Sequence, residues 1–187
     1  VDMVRQEMSP VCWLACGVMI LQYKRRYTPS TASLGIHDME FRSGSVPSTD
    51  GNESMYRKMR QLGFTVTRAR NLNAGRFPTM APSRNPRRQP ESRDPVIETI
   101  IWLLRNHGPF VLNHLIGSFW YGPNRELPGD NGNAHAVVVT GIDSNRGTVY
   151  FNNPWGERNV PTSVRSIVGA IHSWEADHES NQSLMYY

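Results

Sequence analysis

The chain has 187 residues, 39% of them hydrophobic, and its 20 basic and 16 acidic side chains give a formal net charge of +4. This length predicts a single globular domain over 1–187, and no apolar run approaches the roughly 18 residues of a membrane span, which argues against a membrane protein. The N-terminus lacks the basic head and apolar stretch of a signal peptide. Because the chain opens at Val1, directly before a candidate motif, we expect a piece of a longer protein.

The first half of the chain is predicted to be mainly helical. Residues 10–23, PVCWLACGVMILQY, are typical of a buried helix that begins at its proline, and the segment 25–38 breaks that helix before a short second one. In 50–64, DGNESMYRKMRQLGF, apolar residues recur at helical spacing until Gly63 ends the pattern. FTVTRA, at 64–69, predicts a short strand.

An arginine- and proline-rich stretch, called here the basic segment (68–95), separates the two halves of the chain. It holds seven arginines against Glu91 and Asp94, a local surplus of five positive charges, and its prolines predict an irregular loop. Two interpretations stay open: a solvated loop, or a docking surface for an acidic partner such as an inhibitor or immunity protein. Nucleic acid is the least expected partner, because no series of aromatic stacking residues is interleaved with the arginines.

The second half of the chain changes from helical to strand periodicity. DPVIETIIWLLRNHGPF, at 94–110, predicts an amphipathic helix that starts after Pro95 and closes at Gly108. Three apolar segments bounded by turn-forming residues then predict strands, at 110–117, 135–143 and 147–156. The last residues, 178–187, are expected to form a weakly held tail. Helices followed by an antiparallel sheet indicate an α+β fold.

The two cysteines, Cys12 and Cys16, are too few for a zinc site without histidines at ligand spacing, and none of the six histidines provides that spacing. A disulfide between them would bridge consecutive turns of one helix, which is poor disulfide geometry. We therefore expect reduced thiols, no metal and no cofactor. Reduced thiols favour a protein that works in a cytosol.

A cysteine nucleophile needs a low pKa, a base and donors for the oxyanion that forms during attack. Cys12 lies near a predicted helix N-terminus, where unpaired N–H groups favour the thiolate and lower its pKa. Gln6, just upstream, is placed to offer its amide to the oxyanion beside the N–H of Cys12. Cys16, one turn further along, is expected to face the core.

The candidate base is His135, which begins the most apolar strand directly after the loop GDNGNA. Asn153 lies eighteen residues later, at the end of the next predicted strand. A hairpin would bring its amide oxygen beside His135 and hold the imidazole in one tautomer. Asn152 competes for this role, but strand alternation places the two asparagine side chains on opposite faces, and the neighbouring PWG favours Asn153.

These residues resemble the papain-like cysteine proteases, whose pattern is Gln, Cys-Trp, His and Asn-Ser-Trp-Gly in that order. Here the pattern is Gln6, CWLAC at 12–16, NAHAVVV and NNPWG. The nearer similarity is to small papain-like effector proteases of bacteria, some of them injected into host cells. Pro10 and Val11 replace the papain Gly-Ser, Asn153 stands where the effector relatives more often have Asp, and Pro154 replaces the papain Ser.

The resemblance implies a papain-like fold in which a helical half carrying Cys12 packs on an antiparallel sheet carrying His135 and Asn153. It implies a cysteine endopeptidase, with Cys12 as nucleophile, His135 as base and acid, Asn153 as orienting residue, and Gln6 and the N–H of Cys12 as oxyanion hole. It further implies a bacterial effector or toxin domain, secreted or injected, that cleaves a protein in the cytoplasm of a target cell.

Alternatives remain at this point, because the same catalytic set serves other acyl-transfer reactions. These are peptidoglycan amide cleavage, glutamine deamidation and removal of ubiquitin-like tags. A catalytically inactive papain fold used for binding is the least expected alternative, since a binding module need not retain Gln6, Cys12, His135 and Asn153 together.

Overall fold

A computed structural model describes residues 1–3, 12–24, 50–68, 95–115, 134–177 and 182–187. Within these ranges it contains four helices and six strands. In chain order they are α1 (Cys12–Tyr23), α2 (Asp50–Gln61), β1 (Thr65–Thr67), α3 (Pro95–Asn106), β2 (Phe110–Leu115), β3 (Ala134–Asp143), β4 (Thr148–Asn153), β5 (Glu157–Ser163), α4 (Val164–Asp177) and β6 (Leu184–Tyr186). The predicted α+β fold is confirmed.

The six strands form one sheet in the order β1-β6-β2-β3-β4-β5, and every neighbouring pair is antiparallel. Strands β2 to β5 follow one another in the chain and pair with their sequence neighbours. β6 departs from this simple order, since it enters between β1 and β2. The last strand of the chain, β6, is therefore paired with β2, from the middle of the chain.

The sheet separates two hydrophobic cores, and the alternation along β3 shows how. Ala136 and Val138 pack with α1 and α2, whereas Val137 and Val139 pack with α3 and α4. Successive side chains of a strand point to opposite faces, so an uninterrupted apolar run serves both layers. This explains why all four residues of 136–139, AVVV, are apolar, and it places β3 between the two cores.

The boundaries of the predicted helices and strands agree well with the structure. The helix predicted at 10–23 is α1, and the helix predicted at 50–64 is α2, after which Gly63 has a φ of 89° that an L side chain rarely adopts. The segment 94–110 contains α3, the short strand predicted at 64–69 is β1, and the three strands predicted in the second half of the chain are β2, β3 and β4. The predicted short helix after α1 and most of the basic segment lie outside the described residues.

The predicted tail is wrong for residues 182–187. β6 is an interior strand, and its Leu184 and Met185 are fully buried, one in each hydrophobic core. The chain leading into it is also held, because the backbone N–H of Gln182 donates to the Tyr56 hydroxyl at 2.7 Å and the Ser183 carbonyl accepts from Asn113 N–H at 2.8 Å. Burial on both faces, not length, holds this short strand.

No helix in the described part of the chain is long and apolar enough to cross a membrane.

Candidate active site

Cys12 is the first residue of α1 and is almost completely buried, with 7% of its surface exposed. The backbone N–H groups of Ala136, of Trp13 and of Cys12 itself lie near its sulfur and favour the charged form of the thiol. Ala136 is the residue that follows His135 in β3. The start of α1 therefore lies beside the start of β3, the strand that carries His135.

Burial raises the pKa of the Cys12 thiol to about 11, although the three backbone N–H groups act in the opposite direction. The expectation of a lowered pKa is therefore wrong. Donors at the helix start do favour the thiolate, but removing the sulfur from water costs more than they return. A pKa of about 11 leaves Cys12 a protonated thiol at neutral pH.

His135 lies at the start of β3 and is 3% exposed. Its Nε2 lies 2.9 Å from Oδ1 of Asn153, at the end of β4. Burial lowers the pKa of His135 to about 4, and the hydrogen bond to Asn153 limits this shift. The imidazole is therefore neutral at pH 7. Since an amide oxygen can only accept, Nε2 carries the proton and Nδ1 is left as the basic nitrogen.

The segment NPWGE, 153–157, builds the short connection between β4 and β5. The N–H of Gly156 donates to the carbonyl of Asn153 at 2.9 Å, so residues 153–156 form a β-turn. Its last residue, Gly156, has a φ of 102°, which glycine adopts more readily than other residues. Pro154 occupies the position after the first turn residue, where a fixed φ is favoured. The replacement of the papain serine by proline is thus compatible with the turn.

Asn153 is fully buried and its amide is bonded on both sides. Oδ1 accepts from the backbone N–H of Trp155 at 3.2 Å as well as from His135, and Nδ2 donates to Oε2 of Glu157 at 2.8 Å. These partners leave one orientation of the amide group, with its oxygen toward the imidazole. The hairpin thus places Asn153 where the sequence predicted it.

Asn152 has different partners. Its side-chain amide donates to the Val1 carbonyl at 3.4 Å and accepts from the N–H of Asn159 at 3.0 Å. These contacts tie β4 to β5 and to the start of the chain. The structure thus pairs Asn153, and not Asn152, with the imidazole.

Two aromatic neighbours of His135 were not assigned from the sequence. The Trp155 indole stacks on the imidazole, with ring centroids 4.1 Å apart and planes 23° apart. His114, opposite His135 in the pairing of β2 with β3, meets it edge to face at 5.6 Å. The tryptophan two residues after the orienting asparagine was a usable signal. His114 had none, because its position depends on the register of β2.

The other predicted residues divide into described and undescribed ones. Cys16 is completely buried in the same core as Cys12, and burial raises the pKa of its thiol well above the usual value. Both cysteines are free thiols. Gln6, the predicted oxyanion donor, lies outside the described residues. In the described part of the chain, no three His, Cys, Asp or Glu side chains are grouped to hold a metal ion.

The sequence matches the model of the Peptidase_C39 like family over residues 1–181. The chain belongs to the Peptidase_C39 like family. Among solved structures, a Bacillus anthracis protein described as a "putative C39-like peptidase" is similar to this C39-like chain with a TM-score of 0.54 and 13% identity, over 100% of this chain and 94% of that one. At that identity the match shows a shared fold. No curated protein matches the sequence.

Family and fold together place this C39-like chain among the papain-like cysteine peptidases. The resemblance read from Cys-Trp, His and Asn-Pro-Trp-Gly is confirmed, and so is the broad class of cysteine peptidase.

Proposed function

We propose that this chain is a cysteine endopeptidase in which Cys12 attacks a peptide carbonyl, His135 transfers protons and Asn153 orients His135. The hydrogen bond of 2.9 Å between His135 Nε2 and Asn153 Oδ1 carries this proposal, because it leaves Nδ1 as the basic nitrogen. The contact of Cys12 with Ala136 supports it, since it brings the thiol to the strand end that carries His135.

In the proposed resting state the thiol and the imidazole are both neutral, since burial raises the pKa of Cys12 to about 11 and lowers the pKa of His135 to about 4. Such a pair does not depend on a standing thiolate. The thiol loses its proton to Nδ1 of His135 as the sulfur–carbon bond forms, so His135 acts as a general base during attack. The imidazolium that results is stabilised by its hydrogen bond to Asn153.

The later steps follow from the same groups. The carbonyl oxygen becomes an oxyanion, for which the N–H of Cys12 and the Gln6 amide are the proposed donors. His135 then returns its proton to the leaving amine as the carbon–nitrogen bond breaks. Cys12 is left joined to the acyl part of the substrate as a thioester. Water attacks this thioester while giving a proton to His135. His135 passes the proton to the Cys12 sulfur, which departs and releases the carboxylic acid. No cofactor takes part in the proposed cycle.

Labelling with an epoxide inhibitor of papain-type enzymes, read by intact mass, tests the proposal. We expect one adduct on the wild-type chain, located on Cys12 by peptide mapping. Cys12→Ala should give no adduct and no proteolysis while remaining folded. A folded wild-type chain that never forms the adduct would refute the proposed function.

Cys16→Ala is the matched control, since Cys16 lies one turn along the same helix. It should keep the adduct and most of the activity, and the small truncation should lower the free energy of unfolding by about 1–2 kcal/mol at most. Equal loss of labelling in both variants, with the fold preserved, would show that Cys12 is wrongly assigned as the nucleophile.

The substrate is proposed to be a protein inside a target cell, reached by secretion or injection from a bacterium. Support comes from the resemblance to bacterial effector proteases and from two cysteines that are both free thiols. Cleavage profiling of cell lysates tests this proposal against the alternatives. Release of peptides from purified peptidoglycan, or of ammonia from protein glutamines, would favour an amidase or a deamidase instead.

The basic segment is proposed to capture an acidic surface of the substrate or of an inhibitor, on the strength of its five surplus charges. Replacing Arg84, Arg87 and Arg88 with Ser should leave turnover of a short neutral peptide unchanged. Protein cleavage or inhibitor binding should slow, chiefly at low salt, because the Debye length falls from about 10 Å at 0.1 M to about 3 Å at 1 M. If the triple variant cleaves protein and binds inhibitor as the wild type does at every salt concentration, the result would favour a solvated loop.

A further inference from the structure

Glu157 lies directly across the β4–β5 turn from Asn153. The two residues are partners in the strand pairing, and Asn153 Nδ2 donates to Glu157 Oε2 at 2.8 Å. The turn of three residues between them fixes their separation. Pro154 restricts its backbone, and the bond of 2.9 Å from the Gly156 N–H to the Asn153 carbonyl closes it. Glu157 therefore occupies the one side of the amide that His135 and the Trp155 N–H leave open.

We propose that Glu157 is a positioning residue of the catalytic unit, and that it determines why position 153 holds asparagine and not aspartate. Without an acceptor at Nδ2, the amide could turn over and present N–H groups to His135 Nε2. That orientation would favour the wrong tautomer, with the proton on Nδ1 and no base facing the thiol. The inference rests on the proposed roles of Cys12, His135 and Asn153.

The same geometry gives a reason for asparagine at position 153. An aspartate introduced at position 153 would set its second oxygen against the Glu157 carboxylate at about the present 2.8 Å. Two carboxylates at that distance cannot both ionise without strong repulsion. Asparagine supplies the same oxygen to His135 and turns the clash into a hydrogen bond. Residues 153 and 157 are thus expected to vary together.

Four variants test the pair: Glu157→Ala, Glu157→Gln, Asn153→Asp and the double variant N153D/E157Q. Glu157→Gln keeps an acceptor oxygen and should stay within about twofold of the wild type. Glu157→Ala should lower kcat about tenfold with KM little changed, since it acts on the orientation of the base and not on substrate binding. Arg158→Ala, the exposed neighbour on β5, is the matched control and should leave both constants unchanged.

The double variant gives the sharper result. Asn153→Asp alone should be impaired about tenfold or more, because its carboxylate faces Glu157. Adding Glu157→Gln supplies a side-chain N–H to that carboxylate and reverses the direction of the hydrogen bond, so activity should recover to within about threefold of the wild type. Equal activity of Asn153→Asp with and without Glu157→Gln would overturn the inference.

Two readouts separate this inference from the proposed function. The rate of epoxide labelling of Cys12 needs no substrate and should follow kcat through the series. Long-range ¹H–¹⁵N NMR of the His135 ring reports the tautomer directly, and we expect the Nε2–H form in the wild type and in Glu157→Gln, with loss of that form in Glu157→Ala. If the wild type is not labelled, the proposed function fails while the NMR result still decides the role of Glu157. An unchanged tautomer in Glu157→Ala contradicts it.

Discussion

The indole of Trp155 covers one face of the His135 imidazole, with the ring centroids 4.1 Å apart. Trp155 also donates its backbone N–H to Asn153 Oδ1 at 3.2 Å, so one residue contacts both members of the His135–Asn153 pair. The stack restricts rotation of the ring and contributes to the burial that lowers the pKa of His135 to about 4. Trp155 thus covers the hydrogen bond between His135 and Asn153.

Replacing Trp155 with alanine should expose this hydrogen bond to water. We expect the pKa of His135 to rise from about 4 toward the ordinary value of 6.5, because burial is the largest cause of its shift. kcat should fall by several-fold, since an aromatic pair contributes about 0.5–1.5 kcal/mol. NMR titration of the His135 ring measures the pKa.

Trp155→Phe keeps a ring on the imidazole and should retain most of the activity. Trp102→Ala is the matched control, because Trp102 meets a different histidine, His107, edge to face at 5.2 Å. It should lower stability without moving the titration of His135. If Trp155→Ala leaves the pKa of His135 unchanged, the indole does not shield the site.

The neighbouring asparagines offer a second test. Asn153→Ala should reduce kcat about tenfold or more yet leave measurable activity, because a charge-assisted hydrogen bond to His135 is lost while Cys12 and His135 remain. Asn152→Ala should keep nearly full activity and lose about 1–2 kcal/mol of stability, since its side chain bonds only Val1 and the N–H of Asn159 in the described contacts. Measured kcat and urea unfolding separate the two effects. A crippled Asn152→Ala beside an active Asn153→Ala would reverse the assignment.

The pH dependence of activity follows from the two shifted pKa values. As pH falls through about 4, His135 becomes protonated and cannot take the proton of Cys12, so kcat/KM should fall. As pH rises through about 11, the thiol ionises before substrate arrives and His135 has no proton to give the leaving amine. The profile of kcat/KM against pH should therefore show a broad plateau between these limits, measured wherever the chain remains folded. Loss of activity already at pH 6 would contradict the neutral pair.

Stability should respond to pH over different windows. The pKa of His135 is lowered in the folded chain from 6.5 to about 4, so its contribution to stability is present above pH 6.5 and is lost as pH falls to 4. The pKa of Cys12 is raised from 9.0 to about 11, so its contribution is present below pH 9 and is lost as pH rises to 11. At about 1.4 kcal/mol per pKa unit, each loss amounts to about 3 kcal/mol.

Urea unfolding of matched variants isolates each group, since His107 and Cys16 also have shifted pKa values. The stability difference between the wild type and Cys12→Ser should be constant below pH 9 and shrink above it. The difference from His135→Gln should be constant above pH 6.5 and shrink below it. Differences that are flat from pH 4 to 11 would exclude both shifts.

The pairing of His135 with Asn153 could be predicted because it depends on local rules. The two residues lie at the ends of one hairpin. The period of two along a strand places Asn152 and Asn153 on opposite faces, and the PWG that follows favours Asn153. The apolar run after His135 similarly indicates a strand buried on both faces. These features need only the residues of one continuous segment.

Other features of the site depend on the assembled structure. The donors at the start of α1 are visible in the sequence, but the burial that raises the pKa of Cys12 results from packing of α1 on β3. The contact of Glu157 with Asn153 requires the length of the turn between them. α4 was detectable, since its buried Val164, Ile167 and Ile171 recur at helical spacing, whereas β5 is an exposed edge strand interrupted by a proline.

β6 illustrates the limit of local patterns most clearly. It has three residues, LMY, and its partners β1 and β2 lie far away in the chain. A run this short carries no detectable period, so only the sheet reveals that it is interior. The structure makes it a structural strand and not a loose end.

Shortening the buried side chains of β6 should therefore destabilise the whole sheet. Leu184→Ala and Met185→Ala each remove a fully buried side chain, from opposite cores, and each should cost about 2–5 kcal/mol in the free energy of unfolding. The control is Val160→Ala, at a half-buried position of the edge strand β5. It should cost about 1 kcal/mol or less, because the Val160 side chain is only partly removed from water. Amide hydrogen exchange should show Leu184 and Met185 as protected as the centre of β2, since both strands open only when the sheet unfolds. Rapid exchange in β6, together with costs near that of Val160→Ala, would make the end of the chain the loose tail that its sequence suggested.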